Sequence, residues 1–86
     1  MAMRYPTIKS VSVLDGHQLL VSFSNDEQRL YDVSPLLNKD MFSLLKNPAV
    51  FQNVRVDAGG YALVWDEDTD ISEYELWTHG MPVSGS

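Results

Sequence analysis

Val54-Arg55-Val56-Asp57-Ala58-Gly59-Gly60-Tyr61-Ala62-Leu63-Val64-Trp65 is the stretch whose reading decides the fold. Apolar residues alternate on both arms: Val54 and Val56 before the glycines, Tyr61, Leu63 and Trp65 after them. That period of two belongs to a strand with one buried face. Glycine takes positive φ without a Cβ clash, so Gly59-Gly60 between two such arms predicts a β-hairpin. An acidic run, Asp66 to Glu75, follows at once. It is expected to form a solvated loop that leads into a helix.

Upstream, the same period recurs three times. Thr7 to Leu14 alternates Val11 and Val13 with Ser10 and Ser12, while Ile8 is out of phase, so either both faces are partly covered or a bulge intervenes. Asp15-Gly16 is a turn pair, and His17 to Ser24 follows with Leu19, Val21 and Phe23 on one face. Asn25-Asp26 makes the next turn, since both residues tolerate the left-handed region. Gln28 to Val33 then places Tyr31 and Val33 on one face and Leu30 on the other. These segments predict an antiparallel meander of three strands.

The spacing changes at Ser34-Pro35, which reads as an N-cap followed by proline at the first helical position. Asp40 is placed to cap a second piece, Met41 to Lys46, and Asn47-Pro48 ends it and starts one more turn with Val50 and Phe51. Helices this short are not stable alone, so the broken helical middle must lean on a sheet. Near the C-terminus, Ser72-Glu73-Tyr74-Glu75 matches a capping box, with Ile71, Tyr74 and Trp77 on one face. The expected fold class is α+β: a three-stranded β-meander, a short broken helical segment, a β-hairpin and a C-terminal helix. A single layer of helices covers one sheet. One domain over residues 1–80 and a flexible tail over 81–86 complete the expectation.

Composition narrows the function classes. The chain has 86 residues and no cysteine, which rules out disulfides, thiolate metal sites and a cysteine nucleophile. No apolar leader or membrane-length run stands out, so a soluble cytoplasmic protein is expected. The net charge is −6 and unevenly placed: residues 1–55 hold six basic and five acidic groups, whereas residues 56–86 hold seven acids and no Lys or Arg. A negative field repels phosphate backbones and attracts basic surfaces, so direct nucleic-acid binding is not expected.

Leu19-Leu20-Val21-Ser22-Phe23, Tyr31-Asp32-Val33-Ser34-Pro35-Leu36-Leu37, the Phe42, Leu45 and Phe51 spacing, Val54-Arg55-Val56-Asp57, and Trp65 followed by Asp70-Ile71 and Leu76-Trp77 occur in a characteristic order. On these pieces the chain resembles the bacterial family catalogued as domain of unknown function 2442, over Pro6 to Trp77. It departs at Asn25-Asp26-Glu27, which lacks an expected glycine, and after Trp65, where it is more acidic than usual. The resemblance implies a small α+β protein with no established catalytic residues. Relatives encoded beside another small protein, or fused to helix-turn-helix domains, imply an antitoxin-like or regulatory role. This chain has no helix-turn-helix segment.

Asp66, Asp68 and Asp70 open like an EF-hand calcium loop, but Ile71 stands where that loop needs glycine and Trp77 where it needs glutamate. The same acids invite an acid–base pair, which would need two carboxyls facing across a cleft. His17 and His79 are far apart in sequence, and no nucleophile elbow, phosphate loop or zinc motif occurs. The leading expectation is a non-enzymatic interaction module without cofactor or bound metal. Trp65, Asp66, Glu67, Asp68, Asp70, Glu73, Tyr74 and Trp77 would offer an acidic and aromatic face to a small basic protein. A small-molecule or divalent-metal site on the Asp66–Asp70 loop is the first alternative. A homodimer through an edge strand, Thr7–Leu14 or Gln28–Val33, is the second.

Overall fold

The computed structural model describes residues 6–83. The meander forms as its alternation requires, with β1 (Ile8–Leu14), β2 (Gln18–Phe23) and β3 (Gln28–Asp32) in antiparallel order. Their register pairs Val11 with Val21 and Leu19 with Tyr31. A register shift between Ile8 and Ser10 is the bulge that puts Ile8 out of phase and lets it turn inward. The first turn holds Gly16 and His17 both at positive φ, and the second holds Asp26 at φ 70°.

The helical middle is mostly of the tighter 3-10 kind. Ser34–Asn38 and Asp40–Lys46 are 3-10 turns, and α1 (Pro48–Phe51) is a single α-turn. Asn47 Oδ1 caps α1 by accepting the Ala49 N–H at 3.0 Å. Neither Ser34 nor Asp40 acts as a side-chain cap: each lies inside its turn, after Val33 and Lys39 respectively. Such loosely wound pieces carry little helical stability of their own. They stay in place because Phe42, Leu45 and Phe51 are buried.

A short hairpin follows, β4 (Arg55–Val56) and β5 (Ala62–Asp66), with Val56 paired to Leu63. Leu63 and Trp65 point inward as their alternation predicts, but Tyr61 precedes the strand and is 59 % exposed. The expected single sheet is instead two. The acidic run is not a loop throughout: Thr69–Ser72 forms β6, antiparallel to β5, so β4-β5-β6 is a second sheet. Thr69 and Ile71 are buried and Asp70 and Ser72 exposed, so four residues suffice for a one-sided strand. α2 (Glu73–His79) comes next. Met81 and Pro82, expected in a flexible tail, form β7 beside β3 and complete the first sheet as β1-β2-β3-β7. Residues 84–86 of that tail lie outside the described residues.

The first sheet closely approaches the β4–β5 turn. The Ile8 N–H donates to the Gly60 carbonyl at 2.7 Å. Gly60 sits at φ +75°, and a Cβ there would lie 2.8 Å from the Ile8 carbonyl oxygen. One continuous core runs beneath both sheets. It joins Leu19, Val21 and Phe23 to Leu45, Phe51, Leu63, Ile71 and Leu76. Burial of each large side chain contributes about 1.5–3 kcal/mol, so this shared core, rather than either sheet alone, holds the domain together.

Candidate functional site

Asp66, Glu67, Asp68 and Thr69 make the turn from β5 to β6. Asp66 Oδ1 accepts the Glu67 N–H at 2.6 Å, which tightens that turn. Thr69 faces inward and its hydroxyl donates to the Met41 carbonyl at 3.2 Å, tying the hairpin to the second 3-10 turn. With Thr69 and Ile71 anchored in the core, Asp66, Glu67, Asp68 and Asp70 are left exposed. Ser72 then caps α2 by accepting the Glu75 N–H at 3.2 Å. The reciprocal half of the capping box does not form, because the Glu75 carboxylate turns to other partners. Oε2 accepts a hydrogen bond from the Tyr31 hydroxyl at 2.9 Å and lies 3.3 Å from His79 Nδ1.

The expected aromatics separate. Trp65 is 7 % exposed, stacks on Phe51 and donates its indole N–H to the Phe51 carbonyl at 2.9 Å. Its hydrogen bond and burial give it a core role. Trp77 is half-buried, edge-on to Phe23, with the Arg29 guanidinium 3.6 Å from its ring centroid. Arg29 Nη1 also donates to the Trp77 carbonyl at 2.8 Å, so the ring and the end of α2 are held by one side chain. Tyr74, 51 % exposed, and Tyr61 are the aromatics that reach solvent beside the acids. Glu73 is half-buried.

The metal alternative finds no ligand set. Among the described residues no three His, Asp or Glu side chains come together to hold an ion. The alternating aspartates divide between a turn and a strand. His17 is engaged elsewhere, donating from Nε2 to the Leu45 carbonyl at 3.0 Å.

A groove that the sequence did not announce lies on either side of the Tyr31–Glu75 hydrogen bond. One lobe, about 390 Å³, has Leu30, Pro35, Leu36 and Met81 as apolar walls, with Asp32, Glu75 and His79 among them. The other, about 370 Å³, lies between Leu36, Phe42 and Ile71, with Lys39, Asp70 and Glu75 at its margin. Tyr31, Leu36 and Glu75 line both lobes. Burial holds the Tyr31 phenol above the usual phenol range, helped by the hydrogen bond it donates to Glu75 and the charges of Glu75 and Asp32. Tyr31 therefore stays a neutral donor and fixes the Glu75 carboxylate between the lobes.

Residues 8–82 match the family described as Protein of unknown function (DUF2442). The chain belongs to this family. No curated protein and no solved structure matches it. The residues that carried the DUF2442 resemblance are mostly packing residues: Leu19, Val21, Phe23, Tyr31, Val33, Phe42, Leu45, Phe51, Trp65, Ile71 and Leu76 are all buried. The acids at Asp66, Glu67 and Asp68 stand outside that set on the surface. At Asn25-Asp26-Glu27, where a glycine was expected, Asp26 itself adopts the positive φ the turn needs. Among the described residues no helix of this DUF2442 domain is long and apolar enough to cross a membrane.

Proposed function

We propose that this DUF2442 domain is a non-enzymatic interaction module that offers an acidic face to a small basic protein in an antitoxin-like or regulatory pair. One observation carries the reading. Asp66, Glu67, Asp68 and Asp70 project from a single hairpin whose inward residues are core, and α2 sets Glu73 and Glu75 directly after it. No Lys or Arg occurs from residue 56 to residue 86 to offset them. Complementary charge of this kind steers encounter and selects partners. Tyr74 and Tyr61 supply amphipathic contact surface at the margin, in place of the two tryptophans. The test is recovery of the partner from the native host with the natural chain and with Asp66→Lys, Asp68→Lys and Asp70→Lys combined. Recovery should fall at least tenfold and should also weaken as salt is raised. Equal recovery by both chains refutes the acidic-face reading.

A second reading, pairing of two copies through β1, draws on the position of that strand at the outer edge of the first sheet. Sedimentation over a concentration series separates the two readings, because a monomer at all concentrations removes the second.

A further inference from the structure

We infer that the groove across Tyr31 and Glu75 seats a short stretch of the partner's chain in which a lysine or arginine is flanked by aliphatic residues. The inference rests on the acidic-face reading and assigns the partner's chemistry at one place. Three features support it. The two lobes together place three carboxylates, Asp32, Asp70 and Glu75, against one lysine, Lys39, and one histidine, His79, so a cation is favoured over an anion. The walls between these charges are apolar, from Leu30, Leu36, Phe42 and Met81, which suits the hydrocarbon stem of a long basic side chain and its aliphatic neighbours. Glu75 is held at a set position before any ligand arrives, because both its described contacts, to Tyr31 and to His79, fall on Oε2. A preset acceptor loses less freedom on binding.

The competing occupants are less well matched. A phosphate-bearing ligand meets like charge. A bare divalent ion lacks a set of three ligands among the described residues. Each lobe is of the size that takes small-molecule groups. Two lobes sharing one carboxylate suit a chain that presents successive side chains to both.

The test is an NMR titration of the whole chain, methyl- and amide-labelled, with three probes. These are the capped peptide acetyl-Leu-Arg-Leu-Arg-Leu-amide, the same peptide with glutamine for arginine, and arginine amide alone. The arginine peptide should shift the methyl signals of Leu30, Leu36 and Ile71 saturably, and the glutamine peptide should bind at least tenfold more weakly. Glu75→Gln, which keeps an acceptor for the Tyr31 hydroxyl, should weaken the arginine peptide about tenfold. Asp32→Asn serves as a second variant if Glu75→Gln alters the amide spectrum at large. Arginine amide binding as tightly as the peptide would overturn the partner-chain inference in favour of a small-cation pocket. Shifts confined to the Asp66–Asp68 amides would also overturn it, while leaving the acidic face standing. No shift anywhere overturns the groove, and the charge-reversal pull-down then decides separately whether the acidic face falls with it.

Discussion

Replacing Gly60 by alanine tests whether one close backbone approach couples the two sheets. Gly16 is the internal control, since both glycines sit at φ +75°. At Gly16 an added Cβ meets nothing within 4 Å. Its replacement costs only the left-handed backbone penalty of about 1–2 kcal/mol, less about 0.4–1 kcal/mol regained from a less flexible unfolded chain. At Gly60 the same Cβ would lie 2.8 Å from the Ile8 carbonyl oxygen and 3.0 Å from Thr7 Cβ. Backbone must move, which adds about 1–3 kcal/mol of overpacking and puts at risk an inter-sheet hydrogen bond worth about 0.5–1.5 kcal/mol. The backbone and unfolded-state terms cancel between the two variants. The expected difference is therefore about 1.5–4.5 kcal/mol, all of it from the sheet contact. A domain of this size has a total stability of only about 4–13 kcal/mol. Thermal unfolding followed by circular dichroism should place Gly60→Ala at least about 6 °C below Gly16→Ala, at about 4–8 °C per kcal/mol. Urea unfolding should give the same order. Equal midpoints for the two variants would refute the coupling argument.

Two further outcomes follow from side chains that fasten α2. The native state keeps a proton on Tyr31 that the unfolded chain releases above about pH 10, so this contribution is fully present below that pH and is lost as pH rises towards the raised native value. Stability should fall on that limb by up to about 1.4 kcal/mol per pH unit, and Tyr31→Phe should flatten it in pH-dependent urea unfolding; an unchanged slope contradicts the assignment. Arg29→Met removes a charged hydrogen bond worth about 1.5–3 kcal/mol and a cation–π contact worth about 0.5–1 kcal/mol, so urea midpoints should drop and acrylamide should quench Trp77 more readily. Arg29→Lys should fall between the two, because a lysine can sit over the ring without matching the planar guanidinium.

What the sequence made legible was set by how many residues shared a signal. The meander carried three alternating runs and two turn pairs, while the bulge at Ile8 was one of two readings that the register shift decides. Ser72 was legible as a cap because capping is local chemistry, whereas Ser34 and Asp40, read the same way, lie inside their 3-10 turns without capping them. β6 was hidden because its inward positions, Thr69 and Ile71, are two residues set among acids, and that composition resembles a solvated loop. β7 was hidden because Met81-Pro82 becomes a strand through an edge of β3 brought to it by α2. The acids of the candidate face were found from charge alone. The groove was not, since Glu75 lies dozens of residues from Tyr31, Leu36 and Lys39 and meets them only when α2 docks against β3. Glu75 was assigned to its own helix start, and a long-range donor, the Tyr31 hydroxyl, won it instead.

The side-to-side division along β6 separates two jobs that most short segments must share. Thr69 and Ile71 do the folding, while Asp66, Glu67, Asp68 and Asp70 stand exposed on the surface. Exchanging such exposed residues typically alters stability by no more than about 0.5 kcal/mol. The electrical character of this tip is thus free to be rewritten, even reversed in sign, on an unchanged scaffold. A domain built this way can be given new binding preferences by editing a few codons without renegotiating its architecture.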